Sequence, residues 1–298
     1  MPTSSINLQE LYLGIDGGGT KCKAVIVNSS NEVLGTGISG PANPFHGFEQ
    51  ATNSIVESAK LALIDAGLQH VPLNQLTAGL GLAGVNLPVL FKQMTQWQHP
   101  FKLSYLTTDL FIACLGAHEG KDGAVMITGT GSCGFSYVNG HSIFLGGHGF
   151  PHGDKGSGAW IGLQATEQVL LSIDGLTKET SLVPCLLEYL SVSDAVEMVE
   201  VIAGKPAAFF AQMAQYVFSH ANQGDEVASN IVKDGASYIS NLARKLFIEK
   251  PPRISLIGGL SPLITPWLDK DVQAILAKPL QPPEIGAVIF ARQQAKAE

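Results

Sequence analysis

Six consecutive positions, Asp16-Gly17-Gly18-Gly19-Thr20-Lys21, carry a carboxylate, three glycines, a hydroxyl and an ammonium. Apolar runs over 11–15 and 23–27 flank them, so the segment reads as the tip of a β-hairpin. Glycines there let the backbone take φ > 0 and let a ligand come close to its N–H groups. Successive N–H groups form a concave anion site, to which Thr20 adds a hydroxyl and Lys21 a charge. A carboxylate beside a phosphate is repulsive unless a cation intervenes. Mg²⁺, which binds through few carboxylates, several waters and substrate phosphates, would resolve that conflict at Asp16. The plainer alternative is a glycine-rich turn with an Asx cap.

Asp109 stands at the end of a strand-like run over 104–108, where open α/β sheets place ligands. Phosphoryl transfer to an alcohol is mostly positioning and charge stabilisation, plus one carboxylate that orients the hydroxyl and accepts its proton. A carboxylate with an ordinary pKa near ~3.9 is ionised at neutral pH and could serve untuned. The alternative for Asp109 is an N-cap on the apolar helix that follows. Asp154 lies in a polar glycine-rich loop over 149–156, with the same capping alternative. Asn43, between Pro41 and Pro44, has turn chemistry as its alternative. His148 and His152 are four apart, but Gly149, Pro151 and Gly153 preclude the helix that would pair them on a metal.

Two familiar phosphate motifs are excluded. Gly14 and Gly19 have Walker glycine spacing, yet Thr20 follows and a strand comes next instead of a helix. Gly129-Thr130-Gly131-Ser132-Cys133-Gly134 matches G-x-G-x-x-G letter for letter. It runs into 135–138, then Asn139-Gly140, then 142–145, which is strand, hairpin turn, strand. A dinucleotide fingerprint must open a helix.

The elements that would hold these residues alternate along the chain. Strands are expected over 11–15, 23–27 and 33–37, a helix near 48–66 ended by Gly67, a strand over 76–82, a helix near 87–97 and a strand over 104–108. The block then restarts with strands over 124–128, 134–138 and 142–145. Helices fill most of 157–247, with breaks at Gly175, Pro184, Gly204-Lys205-Pro206 and Gly224. A buried strand over 254–257 leads into Gly258-Gly259, and a helix near 284–296 closes the chain. Two halves that each open with strand, glycine turn and strand imply a duplicated βββαβαβα plan with a central cleft as the site.

The 298 residues suit about two domains. Charged residues are only 14% and hydrophobic ones 45%, which favours a large core and a homodimer. The net charge of −7 argues against nucleic acid and anionic membranes as partners. Four cysteines without C-x-x-C spacing suit a reducing compartment. Residues 1–10 show no basic start or apolar core, so no signal peptide is expected there. No apolar run reaches the length of a membrane span. A cytoplasmic location is the expectation.

In this order (DGGGTK hairpin, strand-end Asp, GTGS hairpin, late apolar strand ending in Gly-Gly) the chain resembles the actin-like ATPase superfamily. Within it, the chain is similar to the BadF/BadG/BcrA/BcrD-type group that contains N-acetylglucosamine kinase and bacterial glucosamine kinase. The stretch 127–134 followed by 153–158 looks closest to glucosamine kinase. The resemblance implies an α/β fold, a duplicated ribonuclease H-like core in two lobes. Residues 1–118 plus 285–298 would form the N-terminal lobe and 119–284 the C-terminal lobe. It implies that Gly17, Gly18, Gly19, Thr20 and Lys21, and Gly129, Thr130 and Gly131, grip the ATP phosphates. Asp16 would hold Mg²⁺ through water, and Gly258 and Gly259 would line the adenosine site. Asn43, Asp109 and Asp154 would bind sugar hydroxyls beside Ser132, Cys133 and Gly153, with Asp109 the catalytic base. The implied reaction is ATP-dependent phosphorylation of the 6-hydroxyl of glucosamine. N-acetylglucosamine kinase on the same scaffold is one rival and a nucleotide-dependent switch ATPase another. Animal N-acetylglucosamine kinases carry Asn at the position of Cys133, which favours the unacetylated sugar. The cysteines that would hold an iron–sulfur cluster in the activator ATPases are absent.

Overall fold

The computed structural model describes residues 10–297, so most of the segment read for a signal peptide lies outside the described residues. Residues through Gly123 and from Pro279 onward form one compact unit, and Ala124–Lys278 form a second.

The first unit runs β1 (Leu11–Gly17), β2 (Cys22–Val27), β3 (Val33–Ser39), α1 (Phe48–Asp65), β4 (Leu76–Leu82), α2 (Pro88–Thr95), β5 (Leu103–Thr108) and α3 (Asp109–Ala117). The second holds β6 (Gly123–Thr128), β7 (Ser132–Val138), β8 (His141–Gly146), α4 (Gly158–Ile173), α5 (Leu182–Leu190), α6 (Ala195–Ile202), α7 (Ala207–Ala211), α8 (Ala214–Asn222), α9 (Glu226–Phe247), β9 (Ile254–Ile257), α10 (Ser261–Ile264) and α11 (Lys270–Ile275). The last helix, α12 (Pro283–Ala295), belongs to the first unit.

In the first unit the strand order is β3-β2-β1-β4-β5. β1 is antiparallel to β2 and parallel to β4, and β4 is parallel to β5. Alternation sorts the faces. Leu11, Leu13, Ile15, Ala24 and Ile26 join Ile55, Ala59 and Ala62 of α1 in one core, whereas Val25 and Val27 pack with Val288 of α12. Glycines set how closely the helices approach. A Cβ at Gly14 would collide with the Glu284 carbonyl oxygen, one at Gly79 with that of Ala287, and one at Gly286 with that of Ile112. The second unit repeats the plan as β8-β7-β6-β9, with β6 parallel to β9. Its core gathers Ala124 and Met126 with Ile161, Val217, Phe218, Ile239 and Leu246.

The expected duplication is present, with three amendments. The fifth strand of the second unit shrinks to one parallel bridge, Ile254 to Leu276. Pro184 breaks nothing, because it sits in the first turn of α5, where its missing N–H would have no partner. The units divide at 123/124 and 278/279 rather than at 118/119 and 284/285. The segment before Pro283 is tied to the first unit through the N–H groups of Leu280 and Gln281, each 3.1 Å from the carbonyl of Ala117 and Gly116 respectively.

Candidate functional site

In the first unit the register aligns the carboxyl ends of three strands. Gly17 pairs with Leu82, and Leu82 with Thr108, so the glycine turn and Asp109 lie in one row. The β1–β2 turn is closed by the Gly18 N–H on the Lys21 carbonyl at 2.9 Å. The Ala42 N–H bonds the Gly18 carbonyl at 2.9 Å and the Ala83 N–H bonds that of Gly17 at 2.8 Å. The hairpin, the segment carrying Asn43 and the end of β4 are thus one hydrogen-bonded assembly. Gly19, Thr20 and Lys21 remain exposed at its tip.

Asn43 accepts the Phe45 N–H at 2.9 Å and caps a 3₁₀ turn over Pro44–His46. Its turn role is therefore real, and any hydroxyl it holds would compete with or supplement that bond. Asp109 is not the helix cap. Thr108 takes that position, its hydroxyl accepting the Phe111 N–H at 3.2 Å. Asp109 opens α3 and accepts the Leu110 N–H at 2.9 Å.

The charges here are not those of an untuned site. Burial pushes the Asp109 carboxyl above the usual range, against the N–H groups of Leu110 and of Asp109 itself. The sequence expected an ordinary pKa because burial at a strand end is set by distant elements. Asp16 is pushed up to about 7 by burial, then by the charges of Asp109 and Glu284, against the pull of Lys21 and Lys23. The charges of Asp109 and Glu284 thus oppose the ionisation of Asp16, a repulsion that a divalent ion beside Asp16 would relieve, so the residues fit such an ion.

In the second unit the turn between β6 and β7 is bonded to the start of α4. The Gly158 N–H reaches the Gly129 carbonyl at 2.8 Å, and the Ala159 N–H that of Thr130 at 3.3 Å. Ser157, not Asp154, caps α4, its hydroxyl accepting the Trp160 N–H at 3.1 Å. Asp154 has a left-handed φ of 59° and accepts the Gly149 N–H at 3.2 Å. Burial raises its pKa, against hydrogen bonds from the Gly149 and Ser132 N–H groups and the charge of His148. The Ser132 hydroxyl donates to the Lys155 carbonyl at 2.8 Å, and Cys133 pairs with Gly146 across β7 and β8. Gly153 is packed against His148, where a Cβ would collide. Asp154, Ser132, Cys133 and Gly153 are therefore brought together.

A cavity of about 670 Å³ opens beside that turn, lined by Gly129, Thr130, Tyr189, Gln212, Gln215 and Gly259 among others. Its size suits a nucleoside. Tyr189, Gln212 and Gln215 were missed from sequence, and so was Tyr238. The Tyr238 phenol is held above its usual pKa by burial and then by the charges of Asp154 and Cys133. No local motif marks these four residues.

The glycines separate by physical cause. None at 17–19, 129 or 131 has φ > 0, so the anticipated conformational reason does not apply. Gly17 is needed against Leu82 and Ala42, Gly131 against Asp154, and Gly258 for its φ of 102° and its contact with Thr128. Four glycines have ordinary φ and no protein atom that a Cβ would crowd: Gly18, Gly19, Gly129 and Gly259. Neither conformation nor packing within the chain asks for glycine at these positions, whereas a ligand lying against the backbone would.

Comparison with known proteins points the same way. Residues 13–291 match the model of the BadF/BadG/BcrA/BcrD ATPase family. Glucosamine kinase GspK of Vibrio cholerae is 37% identical over 283 residues, which are 94% of this chain and 95% of that protein. A solved structure from Chromobacterium violaceum, described as a candidate N-acetylglucosamine kinase, superposes with a TM-score of 0.88 at 27% identity, covering 95% of this chain and 99% of that one. A ROK family glucokinase from Streptomyces griseus, solved with glucose and AMPPNP, superposes at 0.56 with 17% identity, covering 95% and 99%, a likeness of fold alone. With its duplicated sheets, glycine turns and strand-end aspartate, the chain belongs to the BadF/BadG/BcrA/BcrD ATPase family.

Proposed function

We propose that this protein is an ATP-dependent amino-sugar kinase that phosphorylates the 6-hydroxyl of glucosamine, giving glucosamine 6-phosphate and ADP. The observation that carries the reading is the set of four glycines, Gly18, Gly19, Gly129 and Gly259, whose lack of a side chain serves nothing within the chain. The backbone of the turns at 17–20 and 129–131, through the N–H groups of Gly19, Thr20 and Thr130, with the Thr20 hydroxyl and the Lys21 ammonium, would hold the phosphates. Gly259, Tyr189, Gln212 and Gln215 would enclose the nucleoside, and Gly258 would shape that wall. Asp16 would hold Mg²⁺, which supplies neutralisation of the phosphate charge.

Asn43 and Asp154 would fix the sugar hydroxyls, with Ser132, Cys133 and Gly153 around them. Asp109 orients the 6-hydroxyl and accepts its proton while the sugar oxygen bonds to the γ-phosphorus and the β–γ bridging oxygen leaves with ADP. Its raised pKa makes it a stronger base than a free carboxylate. The GspK relative favours glucosamine. The Chromobacterium structure favours N-acetylglucosamine as the second reading. The protein is further read as a cytoplasmic homodimer. Its low charge content supports the dimer, and sedimentation at twice the 31.4 kDa chain mass would test it. Among the described residues no helix is long and apolar enough to cross a membrane.

ADP release measured with glucosamine, N-acetylglucosamine, glucose and N-acetylmannosamine tests the assignment. The expected result is the highest kcat/KM for glucosamine. A preference for the acetylated sugar selects the second reading, and sugar-independent release rejects both.

A further inference from the structure

The five-stranded sheet holds an ion pair to which the reading above gives no task. Lys23 stands directly opposite Asp16 in the β1–β2 ladder. Directly opposed residues leave the same face of a sheet with Cβ atoms about 5 Å apart. A lysine in that position is free to close on the aspartate. Its ammonium instead lies 2.5 Å from a carboxylate oxygen of Glu284, whose side chain is only 6% exposed while that of Lys23 is 34% exposed.

Glu284 is the second residue of α12, and α12 cannot drift. Its backbone rests on Gly14 and Gly79 of the sheet, and Gly286 rests on Ile112 of α3, all at distances that exclude a Cβ. That packing fixes the Glu284 carboxylate beside the hairpin, close enough for its charge to act on Asp16. Tyr12 and Gly14, the other β1 residues on this face, offer the lysine no anion. The groups acting on Asp16 are thus Asp109, Glu284, Lys21 and Lys23.

We propose that Glu284 is a positioning residue for the phosphate hairpin: by holding Lys23 it keeps the lysine from pairing with Asp16, and so leaves the Asp16 carboxylate open to a divalent cation. The inference rests on the reading of Asp16 as the residue that holds the cation. Removing Glu284 releases Lys23 onto Asp16, and the cation then competes with a tethered ammonium. Removing Lys23 as well takes away the competitor. An ion pair that only fastened α12 to β2 would not behave this way, since the second change would add to the damage rather than reverse it.

The test is Mn²⁺ binding in the presence of ADP, read by electron paramagnetic resonance, with ADP affinity without metal measured by calorimetry. Outer-shell changes typically cost 10–100-fold in metal affinity. Glu284→Gln is expected to weaken Mn²⁺ binding about tenfold and leave metal-free ADP affinity within about twofold. Lys23→Met added to Glu284→Gln is expected to bring Mn²⁺ affinity back to within about threefold of the parent. Unchanged Mn²⁺ binding in Glu284→Gln, or no recovery in the double variant, overturns the proposal. Breaking one side of a buried pair is strongly destabilising. Should Glu284→Gln fail to fold, Glu284→Asp serves instead, keeping the charge but withdrawing it by one methylene. A loss there that Lys23→Met reverses supports the proposal, and no loss overturns it. Asp16→Asn separates the two layers. Parental Mn²⁺ binding in that variant rejects the cation reading itself, whatever Glu284 does.

Discussion

Asp16 and Asp109 are two acidic residues within electrostatic reach of each other, and the fold withdraws both from water. A proton-accepting role for Asp109 predicts that Asp109→Asn lowers kcat by about 10²–10⁴-fold while leaving ADP affinity within about twofold by calorimetry. Residual turnover near the parental rate would remove it from the reaction. Asp16 gives a pH prediction. In the fold its carboxyl ionises at about 7 rather than 3.8, so the folded state keeps a proton that the unfolded chain has lost. Stability from this group is present at low pH and declines as pH rises through that interval. Metal-free protein should therefore melt at a lower temperature at pH 8 than at pH 5.5. Asp16→Asn should flatten that slope, and Mg²⁺ with ADP should raise the melting temperature more at pH 8. A rise in melting temperature between pH 5.5 and pH 8 would contradict the burial of this charge.

The elements that would carry the chemistry were legible where the signal is local. The DGGGTK turn, the strand ending at Asp109 and the GTGS turn each announce themselves within about ten residues, through alternation broken by glycine. Tyr238 and Gln212 do not, because they approach Cys133 and Gly129 only through helix packing across a long stretch of chain. The capping alternatives for Asp109 and Asp154 fail for a related reason. Thr108 adjoins Asp109 and Ser157 lies three residues after Asp154, and only φ/ψ decides which residue turns outward. Two glycine substitutions separate packing from binding. At an ordinary helix position Gly→Ala stabilises by about 1 kcal/mol. Gly286→Ala would instead drive a Cβ into the Ile112 carbonyl oxygen. Overpacking costs about 1–3 kcal/mol, and each kcal/mol shifts the melting temperature by about 2–4 °C in a chain of this size class. A fall of about 5 °C or more is expected on thermal denaturation, and a rise would refute the tight seating of α12. Gly259→Ala puts a Cβ where no heavy atom beyond its chain neighbours lies within 4 Å. It should leave the melting temperature within about 2 °C and raise KM for ATP about tenfold. A parental KM would place the nucleoside elsewhere.

For the whole molecule, duplication was the readable feature, since both units restart from strand, glycine turn and strand. The loss of the fifth strand to a single bridge in the second unit was not readable, because a chain over 276–278 pairs or fails to pair according to what packs beside it. Family membership bounds the chemistry to nucleotide-dependent work. The choice of sugar belongs to particular side chains, since one fold hosts many substrates. Cys133 and Asp154, with Tyr238 beside them, are the contacts on which that choice would turn. The most direct measurement is nuclear magnetic resonance of the products formed from glucosamine, ATP and Mg²⁺. The account predicts one phosphorus atom on the C6 oxygen of glucosamine for each ADP formed. Inorganic phosphate released with the sugar unaltered, or phosphate on another oxygen, would contradict it.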